Sequence, residues 1–485
     1  MTTETLSTEG LLIGGRRERS QGTTFETFNP ARGEVIARVA EAGPDDVDRA
    51  VIAARRAFEA GKWPTFTAAR RGRVLLKAAA LIRERSKELS ELETRNSGKT
   101  ITDSLGEVLG AAACFEYYAG SATRIMGETI PVSAPGLDLT LREPVGVCAQ
   151  IIPWNFPIVM AAWKLGPALA AGCTTILKPA EQTPLTALAL GEILYEAGLP
   201  EGVLSVLPGR GETSGNALIH HPGIDKIAFT GSTEVGKIVM KAAADGIKRV
   251  SLELGGKSPN IVFEDVDVDS VVDKSVYSVF ANAGQDCCAR SRFFVHESIA
   301  DRFNAALVER VSKLRVGDPT DKNTEIGALI SQEQLSRVEG YVELGQQEGA
   351  TLAIGGTRPT DAALRDGYFL MPGVLTGVNN SMRVAQEEIF GPVVGVIPFR
   401  DEDDAVRLAN DTQYGLSGSI WTRDIGRAIR VMRRVRAGVL SINSNQSVHV
   451  EAPFGGYKMS GIGRELGMRA LDLYTEVKNV YIAVD

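Results

Sequence analysis

Three side chains in this sequence have the type and setting for covalent chemistry. Cys287 follows Gly284-Gln285-Asp286 just beyond a helical pattern, and Gly284 marks a sharp turn there. A cysteine so placed is a nucleophile if its thiol is reachable and an inert small hydrophobe if it is buried. Asn155 sits in Pro153-Trp154-Asn155-Phe156-Pro157 at a strand end. Two prolines restrict the backbone, so Asn155 reads either as part of a rigid turn or as an amide fixed to donate to developing negative charge. Glu253, ahead of Leu254-Gly255-Gly256-Lys257, puts a carboxylate at another strand end. Most such acids are simply solvated or salt-bridged.

Two glycine strings are candidates for holding phosphate. Gly209-Arg210-Gly211-Glu212-Thr213-Ser214-Gly215 has its last glycine one residue too far along for a dinucleotide fingerprint, and reads as a turn. Gly231-Ser232-Thr233-Glu234-Val235-Gly236 follows a strand and opens a helix. Ser232 and Thr233 can cap that helix while free N–H groups face a pyrophosphate, although an ordinary capped turn has the same pattern.

The elements that position these residues alternate. Strands are expected over 145–152, 174–177, 203–207, 226–229 and 249–254, and helices over 157–171, 185–197, 212–220 and 234–244. This spacing implies a parallel, doubly wound sheet with ligands at its strand ends. A second α/β alternation begins with a strand at 260–263, a helix over 268–283 and a strand at 292–295, with Cys287 in the turn between the last two. Before the first sheet come a short strand at 11–13, a turn-rich stretch at 28–34, and long helices over 45–60 and 68–95. The extended stretch 130–141 is expected to pair with the strand-like tail 477–483.

Composition narrows the field. Lys plus Arg total 53 against 60 Asp plus Glu, a net charge of −7, which argues against a nucleic-acid surface. The apolar helical run 158–171 is too short for a bilayer and is interrupted by Lys164; the first ten residues lack a secretory pattern. No membrane partner and a cytoplasmic location are therefore expected. Five cysteines and four histidines show no zinc-ligand spacing, so no metal is expected.

Together and in order, these motifs resemble the NAD(P)-dependent aldehyde dehydrogenase superfamily over nearly the whole chain. The matching strings are PWNFP (153–157), KPAEQTP (178–184), FTGSTEVG (229–236), LELGGKSP (252–259), GQDC (284–287), EIFGP (388–392) and PFGGYKMSGIGRE (453–465). The resemblance implies a Rossmann-like NAD-binding domain (1–122 and 145–254), a catalytic domain (255–465) and a small β oligomerisation unit (123–144 and 466–485). It also implies a homodimer or homotetramer.

It further implies that Cys287 is the nucleophile, Glu253 the general base, and Asn155 an oxyanion donor beside the Cys287 backbone N–H. Cys288 would have no catalytic role. Lys178 and Glu181 would hold the adenosine ribose, and Gly231, Ser232 and Gly236 would border the pyrophosphate. Ile151, Ile152, Pro153, Trp154 and Leu254 would line the cofactor cleft, while Glu388 and Phe390 would position the nicotinamide ribose and ring. Glu181 should favour NAD over NADP by repelling a 2′-phosphate. Glu253 favours hydrolysis to the free acid over acyl transfer to CoA, the rival chemistry; a catalytically silent relative would lack one of these groups.

The substrate class is less legible. Phe156, Met160, Trp163 and Phe454 match the family's substrate tunnel and imply an apolar passage. Asp286 is similar to the acidic neighbour in some aminoaldehyde dehydrogenases. Val448 stands where betaine-aldehyde relatives carry a large aromatic.

Overall fold

The computed structural model describes residues 8–18 and 23–484; the reading of the amino terminus falls mostly outside them. Two large sheets carry the candidate residues. The first has eight strands, with a parallel core in the spatial order Arg249–Glu253, Lys226–Thr230, Val147–Ile151, Thr174–Lys178, Leu204–Val206. Its outer members, Leu11–Ile13, Arg16–Glu18 and Gly461–Ile462, run antiparallel. The parallel core begins at Val147–Ile151, winds one way to Leu204–Val206, then returns to the other side of its first strand at Lys226–Thr230. The reversal opens a crevice between the carboxyl ends of Val147–Ile151 and Lys226–Thr230, where such sheets bind ligands.

The second sheet has seven strands in the order Thr351–Ile354, Gly373–Thr376, Val393–Phe399, Arg292–His296, Pro259–Val262, Ser417–Trp421, Val439–Ile442. All are parallel except the first. Its inner strands are rich in Val, Ile and Phe and buried on both faces, as covered parallel sheets require. Both α/β expectations hold. The tail strand Thr475–Ala483 pairs antiparallel with Gly136–Pro144 along its whole length, Thr475 opposite Pro144 and Ala483 opposite Gly136. The expected pairing of these two segments therefore forms within one chain.

Four local readings need correction. The helix expected over 68–95 breaks at Arg85 into Ala68–Glu84 and Ser86–Ser97. The second segment buries polar Glu93 and Asn96, which bond to other elements, where the first buries aliphatic residues. The helix over 212–220 begins as a π-turn, Gly211–Gly215. The helix expected to reach 283 stops at Phe280. The strands Thr24–Asn29 and Glu34–Ala40 and the helix Ile101–Ser121 went unread. No helix among the described residues is long and apolar enough to cross a membrane.

Candidate active site

The loop bearing Cys287 departs from helical geometry because three successive residues adopt left-handed φ: Asn282 at 51°, Ala283 at 53° and Gly284 at 70°. Gly284 has a second constraint, since a Cβ there would lie 2.2 Å from the Gly391 carbonyl oxygen. The chain then makes a tight turn in which the Ala289 N–H donates to the Asp286 carbonyl at 3.0 Å. Cys287, half-buried, faces a cleft, whereas Cys288 is buried. A hydrogen bond with the Cys288 thiol, burial, and the negative charge of Asp286 and Glu388 together push the Cys287 thiol well above its ordinary range. At rest Cys287 is a thiol.

Asn155 arrives from the other sheet. Pro157 opens the helix Pro157–Ala171 at its first turn, where a missing N–H costs nothing, and this fixes the preceding loop. The Asn155 side-chain amide donates to the Gln285 carbonyl at 2.9 Å. Its backbone carbonyl accepts from the Lys99 ammonium at 2.7 Å and from the Asn282 amide at 2.9 Å. An amide carries two donor hydrogens, so one remains for an incoming oxygen.

Glu253 ends the strand Arg249–Glu253 and is buried. Neither carboxylate oxygen has a hydrogen-bond partner among the described residues. A Cβ at Gly455 would lie 2.6 Å from Oε1, so glycine there makes room for the acid. Burial raises the Glu253 pKa well above the usual range and the charge of Glu465 adds to this, while Lys164 and Arg464 oppose it. Lys164 and Glu465 form a buried ion pair, and Lys164 also donates to the Thr230 hydroxyl at 2.7 Å. A carboxylic acid in such surroundings stays neutral until something stabilises its charge.

A cleft of about 800 Å³ joins these groups to the crevice of the first sheet. That volume suits a small-molecule or cofactor site. Cys287, Asn155 and Glu253 line it, as do the expected cofactor residues Pro153, Trp154, Gly231, Ser232, Leu254, Glu388 and Phe390. Ser232 caps the helix Thr233–Asp245 through the Val235 N–H at 3.3 Å. Gly236 lies beyond the lining; a Cβ there would meet Leu254 at 2.5 Å, so it lets the helix seat on Leu254. Glu388 accepts from the Gly256 N–H at 3.0 Å, and burial raises its pKa to about 7. The Trp154 and Phe390 rings meet edge-on at 5.2 Å, with Phe390 held at a φ of 60°.

Not every expected residue reaches this cleft. Ile151 and Ile152 close its floor strand and are buried. Lys178 is buried 3.7 Å from Glu181, which lines a neighbouring cleft of about 600 Å³. Phe156 and Met160 line the main cleft; the Trp163 and Phe454 rings meet edge to face behind them at 5.2 Å, in the apolar cluster against which Cys287 packs. Sequence reasoning missed Lys99, and it missed Gln334 and Arg337, whose side chains hold the Phe390 and Glu388 carbonyls at 2.7 and 2.9 Å. None of these three stands in a recognisable motif, since each acts through a contact distant in sequence.

Comparison with known proteins agrees with this geometry. Residues 17–480 match the family described as "Aldehyde dehydrogenase family". An aldehyde dehydrogenase of Aspergillus niger is 48% identical over 97% of this chain and 94% of its own. A betaine aldehyde dehydrogenase of Bacillus subtilis (strain 168) is 45% identical over 99% of this chain and 97% of its own. The NAD+ complex of an aldehyde dehydrogenase from Bacillus cereus superposes with a TM-score of 0.96, at 46% identity, covering 99% of this chain and 97% of that one. The chain belongs to the aldehyde dehydrogenase family.

Proposed function

We propose that the chain oxidises an aldehyde to its carboxylic acid with NAD, through a thioester on Cys287 that a water activated by Glu253 hydrolyses. The observation that best supports this is the convergence of Cys287, Asn155 and Glu253, from three separate segments, on one cleft.

The Cys287 sulfur adds to the aldehyde carbon as its proton passes to solvent water. The new oxyanion accepts from the free Asn155 N–H and the Cys287 backbone N–H, donors of a kind each worth roughly 2.7–4 kcal/mol of barrier. Bound NAD supplies the hydride acceptor. Loss of the carbon-bound hydride leaves a thioester on Cys287. Glu253, once ionised, takes a proton from water at a carboxylate oxygen, and the hydroxide attacks the thioester carbon. The acid departs and the Cys287 thiolate is reprotonated. Lys164 favours the ionised form of Glu253 that this step needs.

The cleft fits the cofactor. The Gly231–Ser232 turn opens a helix toward it, and the Glu388 carboxylate is placed to accept ribose hydroxyls. Gly255 keeps that carboxylate close, since a Cβ would meet Oε2 at 2.2 Å. Glu181, more than a third exposed and beside Lys178, disfavours a 2′-phosphate and so favours NAD over NADP.

The apolar side chains of Phe156 and Met160 at the nucleophile favour a neutral aliphatic or aromatic aldehyde. Exposed Val448 offers no aromatic face for a quaternary ammonium, which weighs against betaine aldehyde despite the relatives of that name. A panel of aliphatic, aromatic and cationic aldehydes followed by NADH absorbance tests this. Higher kcat/KM for the neutral aldehydes and none for Cys287→Ala is expected; preference for the cationic substrate contradicts the substrate assignment.

The sheet built from Gly136–Pro144 and Thr475–Ala483 exposes Leu137, Leu141 and Ile482 on one face. The strand Thr475–Ala483 is also an edge. Such a surface suits a second copy of the chain, in a dimer or a pair of dimers.

A further inference from the structure

The turn that presents the nucleophile also gathers metal-ligating atoms. The Cys288 N–H donates to Asp286 Oδ1 at 2.8 Å, and the Ala289 N–H donates to the Asp286 carbonyl at 3.0 Å. The backbone thus folds over itself. A carboxylate oxygen of Asp286 and the sulfurs of Cys287 and Cys288 lie within 4.8 Å of one another. A tetrahedral zinc ion with sulfur ligands at about 2.3 Å spaces them about 3.8 Å apart, a difference that small side-chain torsions supply. Three ligands leave a fourth position, and half-buried Cys287 turns it toward the cleft.

We propose that Asp286, Cys287 and Cys288 form an inhibitory site for a thiophilic divalent cation such as Zn²⁺ or Cd²⁺. Both sulfurs bind as thiolates, so one cation enters as two protons leave to solvent. A sulfur engaged in this way is a weaker nucleophile, and the cation occupies the space through which an aldehyde would approach, so turnover stops. The chelate distinguishes the site from a lone cysteine, which would hold the cation through one bond. Two soft ligands select zinc or cadmium over magnesium or calcium. Cys114, Cys148 and Cys173 are fully buried and do not compete from the surface. The loss of turnover rests on the proposed role of Cys287; the binding itself does not.

The test uses the intact chain, freed of metal, in buffer without thiols or chelators, titrated with zinc or cadmium chloride. Native mass spectrometry should find one cation per chain, and pH-stat titration the release of two protons to solution. Turnover should fall in step with occupancy and return with a chelator. Cys288→Ser should require at least tenfold more cation for the same inhibition, and Asp286→Asn should weaken binding in the same direction. Equal sensitivity of Cys288→Ser and the parent would overturn the chelate. So would a cation held as tightly by Cys287→Ala, which would show that Cys287 is not a ligand. If Cys288→Ser fails to fold, the proton count on the parent decides alone, since loss of one proton means a single thiolate. A chain that binds the cation this way but oxidises no aldehyde would contradict the proposed reaction and leave the site standing.

Discussion

The Asn155 side-chain amide and the Gln285 carbonyl meet at 2.9 Å across 130 residues of sequence. This bond ties the loop after a strand of the eight-stranded sheet to the loop that carries the nucleophile beside the seven-stranded one. Asn155 thereby helps hold the Cys287 loop in place, and in the proposed reaction it also donates to the oxyanion. Asn155→Ala should lower kcat by about 10²- to 10³-fold, the usual cost of one oxyanion donor. A loss below tenfold in steady-state assays would remove Asn155 from the first step.

The pH dependence follows from two raised pKa values. Glu253 must lose its proton to act as a base, and burial holds that proton; Cys287 must lose its own to attack, and its neighbours hold it. Both effects move the rising limb of activity to higher pH. The kcat profile should climb through the neutral range toward alkaline pH. A plateau already reached near pH 5, just above the ordinary glutamate value of about 4.3, would show Glu253 to be unperturbed or idle.

Gly255 offers a test of the cofactor site that spares the nucleophile. An alanine there places its Cβ 2.2 Å from Glu388 Oε2, against a carboxylate whose other oxygen is bound by the Gly256 N–H. Glu388 must swing away. The NAD dissociation constant of Gly255→Ala, measured by fluorescence titration, should rise at least tenfold, while alkylation of Cys287 by iodoacetamide changes little. Unaltered NAD affinity would separate Glu388 from the cofactor.

Assembly should depend on the exposed face of the small sheet. Light scattering at micromolar concentration should give a dimer or tetramer, and Leu137→Lys with Ile482→Lys, a directly opposed pair on one face, should reduce it. A parent chain that is monomeric under these conditions contradicts that reading.

The parallel strands were legible in sequence because runs such as Lys226–Thr230 and Arg292–His296 are short, apolar and bounded by turn residues. Asn155, Glu253 and Cys287 were legible as candidates, and the family resemblance gave them roles. The helix Ile101–Ser121 was hidden by Gly106, Gly110 and Gly120, which dilute its periodicity although Thr100 caps it. The overrun past Phe280 has a tertiary cause. Asn282 and Ala283 carry no signal for left-handed backbone, yet the Asn282 amide bonds to the Asn155 and Gln285 carbonyls at 2.9 and 3.3 Å in that geometry. Lys99 was invisible for the same reason, since its partners Glu107 and Asn155 are assembled only by the fold.

The central claim, a thioester on Cys287 cleared by Glu253, is tested most directly by rapid mixing of Glu253→Gln with NAD and aldehyde. Glutamine keeps the shape of the side chain and removes the base. A burst of NADH near one equivalent per site should precede a slow steady rate, with an acyl adduct on Cys287 seen by intact mass. Hydroxylamine, which needs no activation by a base, should restore turnover. A folded, NAD-binding Glu253→Gln that gives no burst, no adduct and no rescue would contradict the account.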